Sequence, residues 1–197
     1  MPMKTVDVRI VGACALLMHS PRSINVMEPL VKEMRTITGV RGNKRTDEQM
    51  ARLYEIEFHL GLYHDPKVGV YIPGDAIESV IRNGARKTRK GKSVEAGVFV
   101  DTDRVPLLYK GPRSPEDLWS SGKFTDQRRC GVADASVFRT RPIFREWAAE
   151  FKLHFETDHV GIKDLQVFLE EAGASCGLLD YRPKFGRFSV EKFEAVS

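Results

Sequence analysis

The segment that most restricts the fold is WAAEFKLHFE, residues 147–156, in which apolar side chains occupy every second position. A period of two is typical of a β-strand that buries one face and exposes the other. The strand therefore predicts an antiparallel sheet that is covered on one side and open on the other. The apolar face would consist of Trp147, Ala149, Phe151, Leu153 and Phe155.

Strand and helix patterns flank this segment in an order that indicates one fold class. Alternating or apolar runs at residues 5–18, 67–73 and 185–196 predict further strands. An amphipathic helix is predicted to begin after an N-cap at Asp75, and a second helix is predicted to end at Gly173. Without its insertions, this order is the split β-α-β pattern of a ferredoxin-like α+β fold. Two helices would cover one face of the antiparallel sheet and leave the other free for a ligand.

Two segments interrupt this order, and we interpret them as insertions in a single domain, 1–197, at about 19–70 and 110–135. The second insertion contains residues 113–130, which are polar and rich in turn-forming residues. We expect this part of the chain to be irregular, with extended structure resuming after it.

The first insertion begins with residues 19–45, which contain two prolines, two glycines and many basic residues. Such a long excursion in a compact domain is usually functional or disordered. Thr46 and Gln49 then have the spacing of a capping box, so a helix is predicted to follow. The excursion ends in a group of cations that fits a mobile arm as well as a binding role: Arg41, Lys44 and Arg45.

Composition excludes several classes of protein and favours a polyanionic partner. The net charge is +4 and the isoelectric point is about 9.0, which is consistent with nucleic-acid binding. The sequence contains no run of 18 apolar residues and no apolar signal segment, so we predict a cytoplasmic protein without a membrane span. The three cysteines and five histidines lack metal-ligand spacing, and no cofactor or disulfide is expected.

The strongest binding signal is the sequence IRNGARKTRKGK, which follows the apolar part of the predicted first helix. Cations at a helix C-terminus stabilise the helix dipole, and this accounts for two of them but not for six. Cations near phosphates release condensed counterions, so the group suits a nucleic-acid backbone. Its members are Arg82, Arg86, Lys87, Arg89, Lys90 and Lys92.

Two further segments combine arginines with aromatic residues. In VFRTRPIF, Arg139 and Arg141 would share one face of a strand, with Phe138 and Phe144 beside them to stack on unpaired bases. An edge strand with charged outer positions is the structural alternative. In GASCGLLDYRPKFGRF, glycines would allow close approach of the backbone to a phosphate. A plain connecting loop is the alternative there. The cations of this loop are Arg182, Lys184 and Arg187.

Together these segments resemble the CRISPR-associated RAMP superfamily, in particular the backbone subunits that coat guide RNA. The resemblance lies in VYIPGDAIESVIRNGAR, FRTRPIFREWAAEFKLHF and AGASCGLLDYRPKFGRFSV, in this order along the chain. It implies a modified RNA-recognition fold with a palm and a thumb-like insertion. It also implies single-stranded RNA as the partner, and subunits that stack head to tail or assemble with other subunits. Carried over residue by residue, the motifs contain Gly74, Arg82, Arg86, Arg139, Arg141, Arg182, Gly186 and Arg187.

The sequence departs from these relatives in two respects. It is short for a backbone subunit, which a stand-alone relative or one encoded by a phage or mobile element would explain. The loop HSPRSINVMEP lacks the aspartate that members cleaving target RNA use in this neighbourhood. Relatives that process guide RNA often use a histidine, and His19 is the candidate here.

We therefore predict a protein that binds single-stranded nucleic acid through phosphates, as a repeating subunit of a filament or a CRISPR-type complex. RNA is the favoured partner, and single-stranded DNA is the alternative that the sequence leaves open. Catalysis is not the primary expectation. One alternative is a metal-independent endoribonuclease that uses His19 as a general acid or base. Another is a structural protein that assembles without nucleic acid.

Overall fold

A computed structural model describes residues 3–41, 44–132 and 135–196. The strands are β1 (Met3–Gly12), β2 (Leu16–Leu17), β3 (His64–Asp65), β4 (Gly69–Pro73), β5 (Val98–Val100), β6 (Arg104–Leu108), β7 (Thr125–Val132), β8 (Ala135–Phe144), β9 (Ala148–Glu156) and β10 (Phe188–Ala195). The α-helices are α1 (Pro29–Gly39), α2 (Asp47–Gly61), α3 (Gly74–Gly84), α4 (Gly91–Gly97), α5 (Pro115–Ser120) and α6 (Ile162–Glu171). The prediction of an α+β protein with a mostly antiparallel sheet is confirmed.

The described residues form two compact units. Unit 1 comprises Met1–Leu16, His64–Lys110 and Phe144–Ser197, and unit 2 comprises Leu17–Tyr63 and Gly111–Ile143. Unit 2 is therefore built from two chain segments, and the interpretation as a single domain with insertions at about 19–70 and 110–135 stays a prediction. The second predicted insertion, 110–135, includes residues 133 and 134, which lie outside the described residues.

Unit 1 contains the sheet with the order β10-β1-β9-β6-β4-β3, and β5 also pairs with β9. The register of β1 with β9 places Val6 opposite Leu153 and Val8 opposite Phe151. All five apolar residues predicted for the buried face of β9 are buried, which confirms that prediction. Helix α3 packs tightly on α6, because a Cβ added at Gly84 would lie 2.3 Å from the carbonyl oxygen of Phe168.

Unit 2 contains β7 and nearly all of β8, which pair in the second sheet, β2-β8-β7, and it also contains a helical core. The Thr46 side chain accepts from the Gln49 amide while the Gln49 side chain accepts from the Thr46 amide, so the predicted capping box is confirmed. The buried residues of α1 and α2 form one apolar cluster. They are Val31, Ile37, Leu53, Ile56 and Leu60.

Two segments for which the sequence predicted little regular structure, within residues 19–45 and 113–130, contain helices or strands. Residues 21–24 form a 3₁₀ turn and Pro29–Gly39 form α1, so part of the excursion, residues 19–45, consists of helices that the sequence did not predict. Pro29 occupies the first helical turn, where its missing N–H costs nothing. Residues 113–130 contain α5, which begins after an N-cap at Ser114, and most of β7.

Three predicted boundaries are also wrong. The first strand ends at Gly12 rather than continuing to residue 18. Helix α3 begins at Gly74, and Asp75 lies inside its first turn without forming a side-chain cap. Gly173 does not end the second helix: α6 ends at Glu171 and is followed by a π-helical turn, Ala172–Cys176, in which Gly173 is buried against Phe188.

Candidate nucleic-acid interface

The cations that follow α3 lie on a sharply turning backbone, and we call Arg82, Arg86, Lys87, Arg89, Lys90 and Lys92 the helix-end cluster. The chain leaves α3 through a 3₁₀ turn, Ala85–Thr88, and then enters α4 at Gly91. Arg89 has a φ of 61°, and the amide of Lys90 donates to the carbonyl of Ala85 at 3.0 Å. An L-residue rarely adopts this left-handed conformation, so the surrounding hydrogen bonds hold the turn in a definite shape.

Two members of the helix-end cluster are paired with carboxylates. Arg82 Nη1 lies 2.7 Å from Glu95 Oε1, and Lys87 forms an ion pair with Glu171. Ser175 also donates to Glu171, at 2.5 Å. The hydrogen bonds from Lys87 and then Ser175 hold the pKa of Glu171 below its ordinary value.

The other members of the cluster carry exposed charges. No carboxylate within residues 3–41, 44–132 and 135–196 forms an ion pair with Arg86, Arg89, Lys90 or Lys92. Their side chains are exposed, whereas the apolar residues of α3 are buried. These four cations therefore face solvent, as expected. Lys87 also faces solvent but is paired with Glu171, whereas Arg82 is half-buried and paired with Glu95.

The terminal loop, residues 177–187, is held in one conformation by its backbone. Gly177 and Gly186 have φ values of 76° and 75°. A Cβ at Gly186 would lie 2.0 Å from the carbonyl oxygen of Leu178, so only glycine permits this approach. The amide of Gly186 donates to the carbonyl of Ala15 at 2.9 Å, which fixes the loop on the end of β1.

The three cations predicted for the terminal loop are exposed. Arg187 Nε donates to the carbonyl of Pro183 at 2.8 Å, which orients the guanidinium without neutralising it. The part of the chain that the structure describes supplies no ion-pairing carboxylate to Arg182, Lys184 or Arg187. Glycine-permitted packing therefore leaves a rigid loop with unpaired charges on its surface.

The helix-end cluster and the terminal loop are joined by a short path through unit 1. Lys87 binds Glu171 at the end of α6, and Ser175 in the following π-helical turn binds the same carboxylate. The terminal loop begins directly after that turn, at Gly177. Both groups of cations are thus anchored to the C-terminal end of α6.

The outward face of the unit 1 sheet has a different charge arrangement. Arg9 forms ion pairs with Glu150 and Glu191, the second at 2.5 Å. Lys152 lies 3.9 Å from Asp7, and Lys192 lies 3.2 Å from Glu194. This face is therefore covered by cations that already have acidic partners. One aromatic pair, Phe99 and His154, lies on it with ring centroids 5.1 Å apart.

In unit 2, the structure separates the arginines of β8 from the aromatic residues predicted to lie beside them. Arg139 Nη1 donates to the buried carboxylate of Glu57 at 2.5 Å, and Arg141 Nη1 donates to Cys130 Sγ at 3.1 Å. Phe144 is fully buried and cannot stack on a base, so that prediction is wrong. Phe138 is 62% exposed, but strand alternation turns it away from the two arginines.

A cavity of about 370 Å³ lies within unit 2, and Arg139 and Arg141 are both part of its lining. His19 is exposed and lines the same cavity as Arg139 and Arg141. Sequence reasoning found no partner for His19, because the strand carrying these arginines is distant along the chain. The lining also includes Ser23, Met34, Glu57, Leu60, Gly61, Cys130 and Thr140.

The cations of the excursion differ in what they contact. Arg45 donates to the carbonyls of Ile37, Thr38 and Val40 at 2.9–3.2 Å, so its guanidinium satisfies the end of α1. Arg45 therefore has a structural role. Its positive charge is also favourable there, because the C-terminus is the negative end of a helix dipole. Arg41 and Lys44 have exposed side chains.

Sequence reasoning missed one exposed cation beside an exposed aromatic residue. Arg129 in β7 lies directly opposite Phe138 in the antiparallel register, so the two share the outer face of this hairpin. Both side chains are exposed. The alternation of strand residues after Thr125 was the available signal.

Neither a family model nor a curated protein matches the chain. Among solved structures, a chain in the cryo-EM structure of the Type III-B Cmr-beta bound to cognate target RNA is similar, with 15% identity and a TM-score of 0.48. The similarity covers 99% of this chain, which spans 61% of that chain's length. At this level of similarity, the function has to be argued from the residues themselves.

A separate observation concerns membranes. None of the helices in the described part of the chain combines the length and the apolar composition that crossing a bilayer requires.

Proposed function

We propose that this protein binds single-stranded RNA, chiefly by phosphate contacts from unit 1. The observation that carries the proposal is a set of exposed cations, without ion-pairing carboxylates among the described residues, on two elements anchored to the end of α6. Phosphate contacts fix the position of a nucleic-acid strand without reading its sequence. The set consists of Arg86, Arg89, Lys90, Lys92, Arg182, Lys184 and Arg187.

Unpaired cations are the better phosphate ligands for a simple reason. A cation that already holds a carboxylate must give up that partner before it can neutralise a phosphate, and part of the gain is lost. Arg86, Arg89 and Lys90 have no such carboxylate to release among the described residues. The helix-end cluster and terminal loop therefore offer more binding free energy than the paired sheet face.

The resemblance of three sequence segments to RAMP backbone subunits is the reason for proposing RNA rather than DNA. We interpret β1, α3, β5 with β6, β9, α6 and β10 as the β-α-β-β-α-β core of a ferredoxin-like palm. Unit 2 would then be the elaboration on that core. On the same resemblance, we propose that copies of the protein assemble along the strand or join other subunits of a CRISPR-type complex.

The test compares two triple variants that remove the same number of positive charges from unit 1. Arg86→Ala, Arg89→Ala and Lys90→Ala remove unpaired cations, whereas the control removes the paired cations of the sheet face, listed last. RNA binding is measured as the dissociation constant over a range of salt concentrations, with DNA of the same sequence in parallel. The control changes are Arg9→Ala, Lys152→Ala and Lys192→Ala.

The two triple variants should behave differently. Loss of three phosphate contacts should reduce the slope of log K against log salt by about 2, at roughly 0.7 per contact on a single strand. The sheet-face variant should keep the wild-type slope. If both variants lose slope equally, only net charge matters and the assigned interface is wrong. Equal affinity for DNA would overturn the choice of RNA.

A second candidate function is cleavage of RNA at His19. The observation in its favour is that His19 lines the same cavity as Arg139 and Arg141. Arginines can stabilise the charge that develops on a phosphate during cleavage, and a histidine can transfer the proton. Cutting of labelled RNA in EDTA that disappears in His19→Ala would establish this activity; uncut RNA with the wild-type protein would exclude it.

A further inference from the structure

The cavity in unit 2 has an apolar wall, and the contacts proposed for unit 1 do not use it. Its volume of about 370 Å³ lies within the range of small-molecule sites in proteins. Met34 and Leu60 line it; Leu60 belongs to the apolar cluster of α1 and α2, and Met34 packs against that cluster. The wall is therefore supported by the core of unit 2. A ligand that fits this wall needs an apolar or aromatic body.

Arg139 offers this cavity a pair of hydrogen-bond donors. Its Nη1 donates to Glu57 at 2.5 Å, and no atom of the described residues accepts from its Nε or Nη2. These two N–H groups point in the same direction along one edge of the planar guanidinium. The side chain is 40% exposed and lines the cavity, so this edge is accessible to a ligand. A matching ligand presents two neighbouring acceptor atoms.

Glu57 both orients Arg139 and neutralises it. The carboxylate is only 7% exposed, and its second oxygen accepts from the amide of Thr140 at 2.9 Å. Because this buried negative charge lies beside the guanidinium, an anionic ligand on the same guanidinium would meet a like charge. A neutral ligand has no such repulsion. The Arg139–Glu57 pair therefore favours a neutral ligand with two neighbouring acceptors over a carboxylate or a phosphate.

Guanine has this combination of properties. It is flat and neutral, and its O6 and N7 are the two acceptors that arginine contacts together in base recognition. Adenine carries an amino group where guanine has O6, so one donor of Arg139 would face another donor. The hydroxyl of Ser23 lines the same cavity and has no partner in the described part of the chain. It can bond to a further polar atom of the base.

We propose that this cavity binds a guanine base. Its O6 and N7 accept from Nε and Nη2 of Arg139, and its ring packs on Met34 and Leu60. A free guanine nucleoside or nucleotide and a guanine within single-stranded RNA present the same edge. The site adds recognition of one base to the sequence-independent phosphate contacts proposed for unit 1. Every lining residue belongs to unit 2, so the site does not depend on those contacts.

The experiment titrates the full chain with guanosine in a calorimeter, since guanosine carries no phosphate that unit 1 could bind. For a ligand of this size we expect a dissociation constant of about 50 μM, from typical binding energies per atom. Adenosine should bind about tenfold more weakly, and so should 7-deazaguanosine, which has a carbon in place of N7. No binding of guanosine, or equal binding of guanosine and either analogue, would overturn the proposal.

A conservative variant tests the role of Arg139. Arg139→Lys keeps the charge beside Glu57 but loses the two parallel donors, so guanosine should bind about tenfold more weakly. The variant should also no longer distinguish guanosine from 7-deazaguanosine, and urea unfolding checks that it is folded. The matched control is Arg129→Lys, on the outer face of the same hairpin, which should bind as the wild type does. If the control loses as much affinity as Arg139→Lys, the assignment to this cavity is wrong.

A pair of oligonucleotides distinguishes the two sources of the base. A short single-stranded RNA with one guanine is compared with the same RNA carrying 7-deazaguanine there, so that phosphate contacts in unit 1 cancel. A preference for guanine that is lost in Arg139→Lys assigns the site to bases of RNA. Equal binding of both RNAs, beside selective binding of guanosine, assigns it to free guanine compounds. Either result can coexist with failure of the unit 1 interface.

Discussion

The outward sheet face and the helix-end cluster of unit 1 both carry positive charge, but they differ in whether that charge is already paired. Arg9 on the sheet face contacts two carboxylates, and Lys152 and Lys192 have one each. In the helix-end cluster, Arg86 and Arg89 have no ion-pairing carboxylate among the described residues. The difference shows that charge density along a sequence does not identify a binding surface until the partners of each charge are known.

The largest expected effect comes from disrupting the packing of α3 on α6, which positions the helix-end cluster. Gly84→Ala would place a Cβ 2.3 Å from the carbonyl oxygen of Phe168 and 2.9 Å from the amide nitrogen of Ala172. Helices α3 and α6 would have to separate, at a cost of about 3 kcal/mol. The free energy of unfolding in urea measures this loss, and RNA binding should weaken with it.

The control for this change is a glycine in the same unit with room for a side chain. A Cβ at Gly91 would meet its nearest atoms, in Arg82 and Arg86, at 3.4 Å, which is ordinary contact. Gly91→Ala lies at the start of α4 and should leave stability unchanged or raise it by about 0.5 kcal/mol. A similar loss in both variants would show that the close packing of α3 on α6 is not what supports the cluster.

A second prediction asks whether an exposed aromatic ring contributes by stacking, either Phe138 on the β7–β8 hairpin of unit 2 or Phe99 on the sheet face of unit 1. Phe138→Ala should weaken RNA binding about tenfold, because an exposed ring beside Arg129 offers a base-stacking surface. The slope against salt should not change, because no charge is removed. Phe99→Ala removes the exposed ring of the sheet face and should leave the dissociation constant unchanged. If Phe99→Ala has the larger effect, the sheet face is the binding surface.

These two regions also show how far sequence reasoning reached. Local patterns identified β9 through its period of two, α3 through its buried apolar residues, and α2 through the Thr46–Gln49 capping box. Each of these signals lies within one short segment, so the local sequence is sufficient to predict the element. The same applies to the exposed cations that follow α3.

What the sequence did not reveal depends on contacts between distant segments. The carboxylates that pair with Arg82 and Lys87 come from residues 95 and 171, and only the fold brings them near. Glu57 and Arg139 meet across 82 residues of chain. Helix α1 was missed for a different reason: two prolines and several cations in residues 19–45 outweighed the spacing of its apolar residues.

A third prediction tests the effect of pairing directly, by removing the carboxylates that pair with two cations of the helix-end cluster. Glu95→Gln with Glu171→Gln removes the ion pairs of Arg82 and Lys87, so the cluster gains two unpaired cations. RNA affinity should rise about threefold at low salt, and the slope should steepen by about 1. The matched control, Glu150→Gln with Glu191→Gln, removes the two carboxylates that bind Arg9. It should raise affinity less, and an equal rise would point to net charge alone.

The smallest expected effect concerns the acid sensitivity of the Lys87–Glu171 pair. Hydrogen bonds from Lys87 and Ser175 lower the pKa of Glu171 in the folded protein below its ordinary value of 4.5. Their contribution to stability is therefore present above about pH 4.5 and is lost as the pH falls through the folded pKa. In Glu171→Gln, the free energy of unfolding should decline less steeply as the pH falls through that acidic range. Near neutrality its dependence on pH should be close to that of the wild type. Lys87→Met should remove much of the same acid sensitivity, because it deletes the main cause of the shift. If the unfolding free energy of Glu171→Gln follows the wild-type pH dependence below pH 4.5, the Lys87–Glu171 ion pair does not form in solution. Lys87 then belongs with the unpaired cations of the cluster.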